Sequence, residues 1–166
     1  MKAVTIYQPH ASLAAIGAKK FETRSWATNY RGPIAIHAGK VFAPHDQHNF
    51  SDVRFLLAAM DVLFPSASDG LSYGALYGLP RGAVIATADL IGCHKIISHR
   101  LYGSKGRIEM GHMGRFLFSP ENELLFGDWT PGRYAWELAN VQMLPQPIPC
   151  RGQQGLWNWK PPSDFQ

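Results

Sequence analysis

At 166 residues, 46% hydrophobic and 17% charged, the chain has enough apolar material for one core and too few charges for disorder throughout. Sixteen Lys and Arg against twelve Asp and Glu leave +4 at pH 7, an excess that permits contact with a polyanion without establishing it. Cys93 and Cys150 are not at CxxC spacing, which leaves a zinc knuckle unsupported; two reduced thiols are the expectation, a disulfide the alternative if the fold brings them together. Gln8, Pro9 and His10 break the N-terminal apolar run before it could serve as a secretory h-region. No stretch reaches the roughly 18 apolar residues of a membrane span. The expectation is a cytoplasmic domain with no membrane contact, no cofactor and no metal.

In chain order, residues 2–8 (KAVTIYQ) read as a strand with β-branched Thr5 and Ile6. Pro9 suits the first turn of a helix, where its missing donor costs nothing. Leu13 and Ile16 then share one helix face, and Gly17 is a natural stop. Residues 20–25 (KFETRS) read as a strand, the next seven as a turn, and 33–39 (PIAIHAG) as a second strand. Over 45–64, Val53, Leu56, Leu57, Met60 and Leu63 recur at helical spacing. Residues 65–82 are rich in Gly, Ser and Pro and read as a loop. Residues 83–97 form one long strand or two, with Gly92 marking a bulge. Residues 98–131 read as irregular, with RFLFS their one apolar run. Tyr134, Trp136 and Leu138 alternate with Ala135, Glu137 and Ala139, the mark of a strand over 133–144. Trp157 and Trp159 in the tail are expected to seal the base of the core. The expected class is α+β, mainly β: a small closed or nearly closed β-barrel with peripheral helices, a mixed α+β sheet being the alternative. One domain spans 1–166, with a helical and loop insertion at about 45–82.

The densest polar segment is Gly17 to Arg24. On a strand over 20–25, Glu22 and Arg24 project from one face and Phe21 and Thr23 from the other, while Lys19 precedes the strand with its direction free. A carboxylate can move protons. A Lys near another cation can act as base or nucleophile. An Arg fork can hold a phosphate or a developing oxyanion. The plainer alternative is a Glu22–Arg24 surface ion pair beside a solvated Lys19. Truncating an accessible Lys19 is expected to change stability by only about ±0.5 kcal/mol.

Trp26, Tyr30 and Arg31 place aromatics beside a cation, which suits base stacking and phosphate contact. His37 and Lys40 follow the second strand, and Arg133, preceded by Gly132, is expected to face a cleft. Arg100, Tyr102, Lys105 and Arg107 offer another edge for polyanion contact or a solvated loop. His45 and His48 flank Asp46 without a third metal ligand.

The spacing G-x-K-x-x-E-x-R of Gly17, Lys19, Glu22 and Arg24 resembles the signature of the ASCH domain family. Gln8-Pro9 with Ala11-Ser12-Leu13 is similar to the family's lead-in to its first helix. Arg31-Gly32-Pro33 with Ile36-His37-Ala38 resembles the strand after the signature. Gly127-Asp128-Trp129 with Gly132-Arg133-Tyr134-Ala135-Trp136 resembles a late strand, and Gln154-Gly155-Leu156-Trp157 the tail. The resemblance implies a PUA-like β-barrel with a cleft beside the first helix, and a link to RNA binding and RNA metabolism. Some members resemble ribonucleases, and some small ones are amidohydrolases acting on acylated cytidine, whose signature Lys is catalytic. That position is Lys19 here, but those enzymes carry Thr where this chain has Glu22. The first expectation is therefore recognition of RNA or a nucleotide or nucleoside in a basic, aromatic-lined cleft. The site residues would be Lys19, Glu22 and Arg24 with Trp26, Tyr30, Arg31, His37, Lys40 and Arg133. The alternatives are a hydrolase on the same cleft, with Lys19 as nucleophile or base, Glu22 as proton carrier and Arg24 as anion anchor, and a protein-interaction module. The sequence leaves oligomeric state open.

Overall fold

The computed structural model describes residues 1–42, 52–65, 74–102, 105–110, 115–119 and 121–163. In chain order these form β1 (Lys2–Gln8), α1 (His10–Ala15), β2 (Phe21–Arg24), β3 (Gly32–Phe42), α2 (Val53–Leu63) and α3 (Gly74–Tyr77). There follow β4 (Ala83–Tyr102), β5 (Lys105–Met110), β6 (Arg115–Ser119), α4 (Glu121–Leu125), β7 (Tyr134–Pro149) and β8 (Leu156–Asn158). No described helix is long and apolar enough to cross a membrane.

Six strands run in the order β2-β7-β4-β3-β1-β8, with β1 and β3 parallel and the other neighbours antiparallel. The β5–β6 hairpin continues from the far half of β4. The class is mainly β, as expected, but the pairings make an open path from β2 to β8 and not a closed ring. The sheet nonetheless curls strongly. Arg24 on β2 donates to the Thr5 carbonyl on β1 at 2.6 Å, although four other strand steps separate those two strands along the path. The gap between β2 and β1 is a seam that no strand pairing among the described residues closes.

Alternation sorts the core. Val4, Ile6, Ile34, Ile36, Leu90 and Trp136 pack with Ala11 and Ala14 of α1. The alternate residues Ala3 and Ala35 face Trp157 and Trp159, which are 7% and 4% exposed. Leu13 of α1 meets Phe55 and Ala59 of α2 and Phe126, so α2 docks on α1.

The structure departs from the sequence expectation in four places. Within 45–64 the helix begins at Val53, capped by Asp52, whose carboxylate accepts from the Arg54 backbone at 2.9 Å. His45, Asp46 and His48 lie outside the described residues. Inside 65–82, Gly74–Tyr77 forms a short helix that buries Leu76. The stretch 98–131 holds the end of β4, two further strands and α4, because the β5 backbone pairs with the extended β4. The tail adds β8, which pairs with β1. The bulge at Gly92 is present, as a register shift between Leu90 and Gly92.

Candidate functional site

A cleft of about 1430 Å³ occupies the seam, lined by parts of β1, β2 and β3 and by residues 149–155. Its placement begins at the end of α1. Gly17 takes φ +76°, a left-handed turn natural for glycine, and its amide donates to Ala14 O at 3.0 Å. Lys19 N then donates back to Leu13 O at 3.0 Å, which turns the Lys19 side chain inward. Lys19 is 1% exposed, so the expectation of a solvated Lys19 is corrected. The start of β2 is held by Glu123, a buried carboxylate that accepts from the amides of Lys20 at 2.9 Å and Phe21 at 3.0 Å.

Glu22 sits between two cations. Its Oε2 is 3.4 Å from Lys19 Nζ, and its Oε1 is 3.0 Å from Arg24 Nε. Lys19 Nζ also donates to Phe21 O. Burial pushes the Glu22 pKa up, but Arg24, then Lys19, then His10 outweigh it and hold the carboxyl below its usual range. The group is therefore an ionised, acceptor-only oxygen pair. The plain surface ion pair is excluded, since the Glu22 side chain is only 10% exposed.

His10 packs on Phe55, with ring centroids 5.0 Å apart. Burial and then the nearby Lys19 charge lower its pKa from 6.5 to about 4, so it is neutral at pH 7. His37, 1% exposed, bonds Cys150 O through Nε2 at 3.1 Å, and burial lowers its pKa as well. Gly152 fits over it: a Cβ there would lie 2.7 Å from His37 Nδ1 and 2.9 Å from Thr5 Oγ1. On the β2 side, Asp128 Oδ2 stands 3.2 Å from Arg133 Nε, and Thr23 Oγ1 accepts from Asp128 N at 2.9 Å.

Of the residues expected from sequence, Lys19, Glu22, Arg24, Trp26, His37, Lys40 and Arg133 all line this cleft. Trp26 is half-buried, edge-on to Trp136 at 4.5 Å. Tyr30 and Arg31 are not among the lining residues. The Tyr30 hydroxyl donates to Pro33 O at 2.6 Å, and the exposed Arg31 folds back onto the carbonyls of Thr28 and Tyr30. Sequence reasoning missed Thr5, Tyr7, His10, Arg81, Asp128 and Arg151, which also line it. Strand alternation put Thr5 and Tyr7 on one face, but nothing in the spacing signalled Arg81 or Arg151. Six Lys and Arg side chains (19, 24, 40, 81, 133 and 151) face two carboxylates, Glu22 and Asp128, so the cleft is electropositive. Among the described residues no three His, Cys, Asp or Glu side chains cluster as metal ligands.

Fold and cleft together define a small, mainly β domain built around a charged seam. The family model for the ASCH domain matches residues 4–148, and the chain belongs to that family. Two relatives are named "Activating signal cointegrator 1": the mouse protein is 34% identical over 91 residues and the human protein 33% over 91. Each match covers 54% of this chain and 14% of the relative, so the similarity concerns a small part of those longer proteins.

Proposed function

We propose that the domain recognises RNA through the basic cleft in the seam. The observation that carries this reading is the excess of Lys and Arg over carboxylates on one concave surface that also bears Trp26 and Tyr7. Phosphates suit the cations, and unstacked bases suit the aromatic faces. At the inner end, the Glu22 carboxylate is an acceptor that fits a base edge presenting N–H donors. Lys19 and Arg24 hold it ionised and fix its direction. PUA-like membership of the fold and a role in RNA metabolism, implied by the family resemblance, agree with this reading.

Hydrolysis on the same cleft is the second reading, and the proximity of Lys19 and Glu22 favours it. In that chemistry Glu22 would accept a proton, since its lowered pKa makes it a poor acid near pH 7. Lys19 would act as nucleophile or base and Arg24 would anchor the anion. Both readings are tested by one screen of the purified protein against single-stranded RNA and acylated cytidines. RNA affinity that falls steeply between about 50 and 200 mM salt supports phosphate contact. Turnover of an acylated cytidine, lost in Lys19→Met, selects hydrolysis. An affinity insensitive to salt contradicts the RNA reading.

A further inference from the structure

We propose that Tyr7, Lys40, Arg81 and Arg151 form a second nucleotide subsite at the mouth of the cleft, stacking one base on Tyr7 and holding the flanking phosphates of a single-stranded RNA. The inference rests on the RNA reading above and extends it from one recognised nucleotide to a strand that runs past Lys19, Glu22 and Arg24.

A bulge builds this surface. Ile6 pairs with Ala38 and Gln8 with Phe42, so Tyr7 alone stands against Gly39, Lys40 and Val41. Regular alternation would send Lys40 to the face opposite its two neighbours, yet all three line the cleft. Glycine at 39 lets the ring come close, since a Cβ there would lie 3.2 Å from Tyr7 Cδ1. Tyr7 remains 41% exposed. Two backbone hydrogen bonds then gather distant cations beside it. Gly82 N donates to Ala38 O at 2.8 Å, and Cys150 N donates to Gly82 O at 3.0 Å. Residues 40, 81 and 151, one or two positions away from these junctions, are all exposed and all line the cleft.

Among the described residues no carboxylate pairs with Lys40, Arg81 or Arg151, and Arg81 reaches only Tyr77 O, at 3.5 Å. Three uncompensated cations around an exposed aromatic match the parts of a single-strand site, a stacking platform in a positive groove. A duplex keeps its bases stacked away from such a ring. An acidic peptide would meet the cations but has no use for the ring face.

The test is fluorescence anisotropy on a labelled single-stranded RNA of about ten nucleotides, across a salt series. The proteins are wild type, Tyr7→Phe, Tyr7→Leu, and the triple variant Lys40→Ala, Arg81→Ala, Arg151→Ala. Tyr7→Leu should weaken binding about 5- to 100-fold while Tyr7→Phe retains it. The triple variant should flatten the slope of log affinity against log salt by about 2. All four side chains are partly or fully exposed, so thermal unfolding should match wild type in every variant. Wild-type affinity and slope in both Tyr7→Leu and the triple variant would overturn the subsite and leave the RNA reading standing. Equal losses in Tyr7→Phe and Tyr7→Leu would overturn the stacking role. A wild-type protein that binds a polyglutamate peptide and no RNA would overturn both readings.

Discussion

The two ends of the cleft handle charge in opposite ways. At the inner end, Lys19 and Arg24 are committed to Glu22 and to the carbonyls of Phe21 and Thr5. At the mouth, Lys40, Arg81 and Arg151 stand in solvent with no carboxylate partner among the described residues. A buried ion pair is hard to remove piecemeal, because loss of one member strands the other in a poorly solvated site. An exposed cation contributes little to folding and keeps its hydration until a ligand arrives. The inner end is therefore built to hold one geometry, and the mouth to attract an anion.

Glu22→Ala tests the inner end most severely. It leaves Lys19 buried and Arg24 half-buried without their shared carboxylate, and should cost about 3–5 kcal/mol in urea unfolding. Lys19→Ala removes a fully buried side chain and should cost about 2–4 kcal/mol, with Lys19→Met recovering part of it. A loss below about 0.5 kcal/mol in either alanine variant would place this end in solvent with the mouth.

Acid titration sharpens the same contrast. His10 falls from 6.5 to about 4 on folding, so the unfolded chain takes up the proton first. Stability from this group is complete above about pH 6.5 and is lost as pH falls towards about 4. Lys19, Glu22 and Arg24 all act on His10, and its partial exposure limits the change to about 2 kcal/mol. Glu22, a carboxyl with a lowered pKa, adds a loss of the same sign at lower pH, as its folded form is protonated. His10→Phe should reduce the slope between pH 6.5 and 4, leaving the share of His37, whose pKa burial also lowers, and the lower limb.

Gly152→Ala lies between the two regimes. The new methyl would press on His37 and Thr5, which are held by Cys150 O and Trp157, and should cost about 1–3 kcal/mol. The smallest effect belongs to the mouth: Lys40→Ala, Arg81→Ala and Arg151→Ala should each fall within about ±0.5 kcal/mol of wild type. A larger loss there would mean that the mouth cations are structural.

The sequence made the cleft's first side legible and left its second side dark. Gly17, Lys19, Glu22 and Arg24 lie within eight residues, so strand alternation and one signature were enough to join them. The direction of Lys19 was not legible, because it depends on the bond from Lys19 N to Leu13 O after the Gly17 turn. Glu123 was hidden for a similar reason: it meets Lys20 and Phe21 from a stretch whose short strands lack a long alternating pattern. Arg81 and Arg151 join Lys40 through the pairing of β4 with β3 and β7 and the two bonds of Gly82 at its edge, a contact between distant segments that no local pattern encodes. The strands β1, β3, β4 and β7 were read from β-branched runs and alternation. Sheet closure was not, since it depends on how far the sheet curls, and here the curl stops at a seam spanned by Arg24.

Amide chemical-shift mapping during titration with single-stranded RNA tests the central claim most directly. The account predicts shifts concentrated at residues 5–7, 19–26, 39–41, 81–82 and 149–155, the two sides of the seam. Shifts confined to β5 and β6, with the seam unmoved, would contradict it and move the RNA site to the hairpin.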